Sequence, residues 1–194
     1  MPVEREIKII GADFGALRKA LQEAGADFQG RYFERNAVLD DESRSLKQKG
    51  ILLRLRQADK CTLTLKVPAE ETDAVGFKEM QEHETQLEDF DATLSIFNGL
   101  GLRPAFWYEK IREKWLMGGL SVDLDELPFG RFVELEGPAE EIREVVSGLG
   151  LSGLDATSEN YHGLNEKFRK EQSLPQREGF TFKQGEAERI LKKS

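Results

Sequence analysis

The sequence contains a single cysteine, Cys61, and only two histidines, His83 and His162. One cysteine can form neither an internal disulfide nor a thiolate metal cluster, which fits a reducing compartment. Two histidines give little support to a site built from a nucleophile and its general base. The function of this chain is therefore expected to depend on its charged residues.

The chain also lacks long apolar runs and an excess of basic residues. No apolar segment approaches the roughly 18 residues that a membrane-spanning helix needs, and no basic stretch leads into an apolar one near the N-terminus. Acidic residues outnumber basic residues by 36 to 28, which gives a formal charge of −8. Proteins that track nucleic acids usually carry a basic surface. We therefore expect a cytoplasmic protein with neither a membrane nor a nucleic acid as a partner.

What is present is an alternation of strand-like and helix-like patterns. The length of 194 residues is sufficient for one domain with a proper core. Alternation with a period of two predicts strands at 3–10, 31–40, 51–57, 61–67, 77–87, 107–116, 120–127 and 131–137. Helical spacing predicts helices after an N-cap at Asp13, at about 90–100, from Pro138 as first residue, and at about 158–170. The polar tail beyond Gln172 gives no structural prediction.

Three of the predicted strands carry two glutamates separated by one residue. The pairs are Glu4 and Glu6, Glu82 and Glu84, and Glu134 and Glu136. Because successive side chains of a strand point to opposite faces, both glutamates of a pair share one face. Other strands carry bases, several of them at the same alternation: Arg54, Arg56, Lys66, Lys110, Arg112 and Lys114. Acids and bases could therefore share one surface.

Such a surface has two interpretations. Carboxylates that cluster inward need a cation, and hard oxygen ligands suit magnesium or manganese. Clustered bases need an anion, and arginine matches phosphate oxygens with two parallel hydrogen bonds. The alternative is an antiparallel sheet whose charged face meets water, with acids and bases paired across strands. Periodicity alone favours this second interpretation.

The order of the motifs favours the first interpretation. Glu4, Glu6 and Lys8 form an ExExK stretch that resembles the signature of the CYTH superfamily, also called triphosphate tunnel metalloenzymes. Further segments resemble family blocks in the same order: RNAVLDD, GILLRLR, TLTLK, EKIREKW, LDELPFGRFVELEG and SENYHGL. The resemblance implies an α+β fold, with an eight-stranded antiparallel β-barrel that forms a tunnel and helices that flank it. It covers about residues 1–170 as one domain and leaves 171–194 as a tail.

The resemblance also implies a set of site residues. The expected triphosphate ligands are Lys8, Arg54, Arg56, Lys66, Lys110 and Arg112, with Lys114 and Arg35 added. The expected ligands of Mg²⁺ or Mn²⁺ are Glu4, Glu6, Glu134 and Glu136, supported by Glu82, Glu84, Asp125 and Asp123. No residue is assigned as a covalent catalyst, because phosphoryl transfer needs mainly placement and charge neutralisation.

The function implied by the resemblance is metal-dependent chemistry on a triphosphate-containing small molecule. We predict a triphosphatase that acts on inorganic, thiamine or nucleoside triphosphate. The first alternative is a class IV adenylyl cyclase, which makes cyclic AMP and pyrophosphate from ATP. The second is a module that binds a polyphosphate or nucleotide without turnover. The sequence leaves a homodimer open.

Overall fold

The computed structural model describes residues 5–68 and 80–192, which form nine strands and six helices. The strands are β1 (Arg5–Ile10), β2 (Asp27–Asp40), β3 (Leu52–Gln57), β4 (Cys61–Pro68), β5 (Met80–Leu87), β6 (Arg103–Met117), β7 (Leu120–Leu127), β8 (Gly130–Gly137) and β9 (Ala156–Thr157). The helices are α1 (Phe14–Glu23), α2 (Ser45–Gln48), α3 (Phe90–Gly99), α4 (Ala139–Gly148), α5 (Tyr161–Glu171) and α6 (Glu186–Leu191). None of the described helices is long and apolar enough to cross a membrane.

The strands hydrogen-bond in the order β5-β4-β3-β2-β6-β7-β8-β1-β9. The described pairings are antiparallel, from the β3–β4 hairpin to the contact of β1 with β8. The predicted antiparallel sheet with flanking helices is confirmed, with nine strands where eight are expected.

The chain divides into two compact units. Unit 1 comprises Met1–Phe33 and Lys110–Ser194, and unit 2 comprises Glu34–Glu109. In unit 1, Leu17 and Leu21 of α1 pack with Val122, Val133 and Leu135 of the sheet. One face of these strands is therefore apolar, which leaves the side chains of alternating positions for the other face.

Unit 2 has its own smaller core. Leu39 of β2 and Leu55 of β3 pack against Phe90 of α3, and partly buried Leu63 and Leu94 join them. The apolar residues of β3 alternate with Arg54 and Arg56, so the arginines occupy the opposite face of the strand.

Most predicted elements form where expected, and the exceptions have local causes. Asp13 caps α1 through a hydrogen bond from the amide of Ala16 at 2.8 Å. Pro138 is the N-cap of α4 and not its first helical residue, because its ψ of 138° is extended. The predicted strand residues before Arg5 and at 77–79 lie outside the described residues. Helix α2 and strand β9 are too short for periodicity to show.

The segment beyond Gln172 contains structure that the sequence does not predict. It includes α6, and it buries Phe180. The ring of Phe180 packs edge-on against Phe129 with centroids 5.1 Å apart, and it lies 5.4 Å from the ring of His162. This segment is therefore part of the packed structure of unit 1.

Candidate functional site

Four neighbouring strands of unit 1 place their charged side chains on one face of the sheet. Arg112 on β6 lies opposite Asp125 on β7, and Asp123 lies opposite Glu134 on β8. Glu134 in turn lies opposite Lys8 on β1. Because residues directly opposite each other share a face, these strands form what we call the unit 1 charged face. Its members are Glu6, Lys8, Lys110, Arg112, Lys114, Asp123, Asp125, Glu134 and Glu136.

Arg112 is the centre of the unit 1 charged face. Its Nη1 lies 2.6 Å from Asp123 Oδ2, and its Nη2 lies 2.6 Å from Glu134 Oε1. Both Nε and Nη2 donate to Asp125, at 2.7 and 2.5 Å. Burial lowers the pKa of Arg112, but the charge of Asp125 and the other carboxylates outweighs it and raises that pKa well above its usual value. The guanidinium is therefore a permanent cation that holds three carboxylates.

Asp125 is completely buried and is surrounded by donors. Besides the two bonds from Arg112, its Oδ2 accepts from Lys110 Nζ at 3.1 Å and from the Tyr161 hydroxyl at 2.7 Å. Burial raises the pKa of this carboxyl, but Arg112 and Lys110 outweigh burial, so the net shift is downward. Asp125 is therefore ionised at neutral pH.

Glu134 and Asp123 contact the same guanidinium, but their pKa values are shifted in opposite directions. For Glu134, the charges of Arg112, Lys110 and Lys8 outweigh the effect of burial and lower the pKa to about 2. For Asp123, burial outweighs Arg112, and the nearby charge of Asp125 adds to it, so the pKa rises to about 6. The unit 1 charged face thus holds one strongly ionised carboxylate beside one that protonates more readily.

Lys8 is 2% exposed and lies on β1 beside two glutamates. Its Nζ pairs with Glu6 and lies 3.5 Å from Glu134 Oε2. The same Nζ lies 4.9 Å from the centroid of the Tyr161 ring. A buried ammonium needs such anionic and aromatic partners, because desolvation is costly.

Unit 2 carries a second charged face on β3, β4 and β5. Lys66 Nζ contacts Glu82 Oε2 at 2.7 Å, across the β4–β5 pair. Arg54 Nη2 donates to Thr64 Oγ1 at 3.1 Å, and Thr64 donates to Glu84 Oε2 at 2.7 Å. We call this set the unit 2 charged face: Arg54, Arg56, Lys66, Glu82 and Glu84.

A sequence comparison settles the family. The model of the CYTH domain matches residues 2–150, a span that includes β1 to β8 and excludes α5. The chain belongs to the CYTH domain family. Both charged faces lie within the matched span.

Three similar proteins each match most of the chain. A candidate adenylate cyclase from Methanocaldococcus jannaschii is 27% identical over 144 residues, which cover 73% of this chain and 81% of the relative. The structure of a candidate adenylate cyclase from Vibrio parahaemolyticus superposes with a TM-score of 0.69 at 20% identity and covers 84% of this chain and 98% of its own. A candidate adenylyl cyclase from Hippeastrum, with a dominant triphosphatase activity, superposes with a TM-score of 0.56 at 14% identity and covers 93% of this chain and 100% of its own. At these identities the solved structures show a shared fold.

The structure brings most of the predicted CYTH ligands onto the two charged faces. Arg35 is different, because it lies opposite Gln57, one residue out of phase with Asn36 and Arg56. Its guanidinium stacks 4.2 Å from the ring centroid of Trp107, and its side chain is 45% exposed. Arg35 therefore does not share a face with Arg54 and Arg56.

The carboxylates at the junction of β1 and β8 fit the divalent ion that the CYTH resemblance implies. Glu6 lies directly opposite Glu136, and both side chains are exposed. Among residues 5–68 and 80–192, no cluster of three acidic, histidine or cysteine side chains could hold a metal ion by itself. Mg²⁺ often takes only one or two carboxylates and completes its shell with water and substrate phosphates. Glu4 lies outside the described residues.

Two residues that contact the charged faces were not predicted as site residues from the sequence. Tyr161 reaches Asp125 from α5, and Tyr108 accepts a hydrogen bond from Arg54 Nη1 at 3.3 Å. Tyr161 lies within the SENYHGL segment, so the sequence shows the motif but does not predict that Tyr161 contacts Asp125. Tyr108 lies on β6 at the same alternation as Lys110 and Arg112, and that spacing was the available signal.

Proposed function

We propose that the protein is a divalent-metal-dependent triphosphatase. The observation that carries this proposal is the interleaving of buried bases and carboxylates on the sheet faces of a CYTH domain. Burying so many charges is costly and gives little net stability. A ligand that carries both signs, such as a metal–triphosphate complex, is the chemistry that such an arrangement suits.

Each charged face, taken by itself, carries bases that suit phosphate oxygens. In unit 2 these are Lys66 and Arg54, and in unit 1 they are Lys8, Lys110 and Arg112. Glu6 and Glu136, which lie opposite each other, would hold a divalent ion, which would supply neutralisation of phosphate charge and activation of water. Fixed charges of this kind can accelerate phosphoryl transfer by placement alone.

Hydrolysis and cyclisation require different groups in the active site. Hydrolysis needs a water in line with the terminal phosphate, whereas a cyclase must also orient a ribose hydroxyl and hold a base. The Hippeastrum protein, which has a dominant triphosphatase activity, supports hydrolysis. The names of the Methanocaldococcus and Vibrio proteins support an adenylyl cyclase as the second candidate.

A product assay tests both candidates and the non-catalytic alternative. ATP, thiamine triphosphate and tripolyphosphate are each incubated with Mg²⁺ or Mn²⁺, with a chelator as control, and the products are separated by chromatography. We expect metal-dependent release of orthophosphate. Cyclic AMP and pyrophosphate from ATP, without orthophosphate from tripolyphosphate, would establish the cyclase. Binding without any product would establish a binding module.

Lys66 offers the cleanest test of phosphate binding. Its side chain is 33% exposed and pairs with a half-exposed glutamate, so its removal costs little folding energy. We expect Lys66→Ala to weaken tripolyphosphate binding by about tenfold in calorimetry, since charge-assisted hydrogen bonds are lost. Lys60→Ala, in the exposed turn of the same hairpin, is the matched control and should bind normally. If Lys66→Ala binds tripolyphosphate with wild-type affinity, Lys66 is not a phosphate ligand.

Arg112 is unsuitable for the same experiment. Its removal leaves Asp123, Asp125 and Glu134 buried without their main cation. The loss of a buried partner of this kind typically costs about 3–5 kcal/mol. A binding defect in Arg112→Ala would therefore be inseparable from a folding defect.

A further inference from the structure

Helix α5 reaches the unit 1 charged face through one side chain. Tyr161 is the first residue of α5 and lies beyond residues 2–150, which the CYTH model matches. Its hydroxyl donates to Asp125 Oδ2 at 2.7 Å, the oxygen that also accepts from Lys110 and Arg112. We propose that Tyr161 is a positioning residue that, through Asp125, fixes Lys110 and Arg112 for triphosphate binding. The binding part of this inference rests on the proposed function.

The donors around Asp125 show that it acts as an anchor. A carboxylate has about four lone-pair directions. Asp125 receives four hydrogen bonds: two from Arg112, one from Lys110 and one from Tyr161. Its side chain is also completely buried. Three of these bonds end on Oδ2 and one on Oδ1, so this carboxylate links the two bases to Tyr161.

The ring of Tyr161 supports the same bases from the side. Lys110 Nζ lies 5.6 Å from the ring centroid and Lys8 Nζ lies 4.9 Å from it. Phe132 packs edge-on against the ring at 5.4 Å and limits its movement. Burial and the charge of Asp125 raise the pKa of Tyr161, so the phenol keeps its proton and remains a donor. The hydroxyl and the ring thus act on one group of cations.

Helix α5 also makes contacts that do not involve Asp125. Asn160 caps α5 through a hydrogen bond from the amide of Gly163 at 3.0 Å. Asn165 is buried one turn later, and its Nδ2 donates to the carbonyl of Arg177 at 2.9 Å. These contacts hold the helix without touching Asp125. Asn165 therefore offers a control that removes a contact of α5 and keeps the hydroxyl of Tyr161.

Tyr161→Phe tests the inference because it removes only the hydroxyl. The first measurement is hydrogen exchange of the Arg112 Nε–H group by NMR in ¹⁵N-labelled protein, which needs no substrate. We expect exchange to become about tenfold faster, because Asp125 loses one of its fixed donors. The second is calorimetry with tripolyphosphate and Mg²⁺, in which affinity should fall by about tenfold.

Asn165→Ala separates positioning from general destabilisation. We expect it to lower the melting temperature while it leaves Arg112 exchange and tripolyphosphate affinity unchanged. Wild-type exchange and affinity in Tyr161→Phe would overturn the inference. Equal changes of Arg112 exchange and of tripolyphosphate affinity in Tyr161→Phe and Asn165→Ala would also overturn it. If the wild-type protein binds no tripolyphosphate, the proposed function fails and the binding part fails with it. The exchange measurement then still decides whether Tyr161 fixes Arg112.

Discussion

At the scale of single residues, the environment decides how each carboxylate behaves. Asp123 and Glu134 lie opposite each other and share the guanidinium of Arg112. Burial outweighs attraction at Asp123 and raises its pKa to about 6. At Glu134 the charges of Arg112, Lys110 and Lys8 outweigh burial and lower its pKa to about 2. The contribution of Glu134 to stability therefore falls as pH is lowered, whereas that of Asp123 falls as pH is raised.

Glu134→Gln should reveal this dependence in urea unfolding measured at several pH values. The folded-state pKa of Glu134, about 2, is below its usual value of 4.5. The carboxylate therefore stabilises the fold fully above about pH 4.5, and this contribution disappears as pH falls toward 2. At pH 7 we expect the free energy of unfolding of the wild type to exceed that of the variant by a few kcal/mol. Below pH 4.5 this difference should become smaller. A difference that stays constant down to pH 3 would contradict this assignment.

At the scale of elements, side-chain alternation separates the core from the charged faces. Ile9 of β1 is buried in the core of unit 1, while its neighbour Lys8 lies on the charged face. The helices that cover the apolar face depend on their caps. Asp13 satisfies the amide of Ala16 at the start of α1, whose Leu17 and Leu21 then enter the core. A defect at this cap should therefore weaken unit 1 without touching the charged face.

Asp13→Ala should lower the free energy of unfolding by about 1 kcal/mol, because one helix amide loses its acceptor. Asp13→Ser keeps an acceptor at the N-cap and should remain within a few tenths of wild type. Denaturant unfolding of both variants measures the difference. If alanine and serine destabilise equally, the side-chain cap is not the cause.

At the scale of the whole molecule, the C-terminal segment completes the packing of unit 1. Phe180 is buried against Phe129, which also packs on Phe168 of α5 with ring centroids 5.8 Å apart. The segment therefore supports the helix that carries Tyr161. Residues outside the CYTH match thus contribute to the environment of residues inside it.

Phe180→Ala should destabilise the protein by about 3 kcal/mol, since a buried aromatic side chain leaves a cavity. Leu174 lies in the same segment but is 43% exposed, and Leu174→Ala should change stability by less than about 0.5 kcal/mol. Thermal unfolding of the two variants measures both effects. Equal, small changes would show that the segment adds nothing to the core.

Short-range sequence patterns predict the local elements and the alternation of charges. The cap at Asp13, the β3–β4 hairpin and the shared face of Arg54 and Arg56 follow from patterns within a few residues. Which charged side chains contact one another depends on the tertiary fold. Four donors from β6 and α5 converge on Asp125, and their separation along the chain is up to 36 residues. A sequence pattern has a period of a few residues and cannot predict such a contact. The contact depends on how the strands pair and where a distant helix packs.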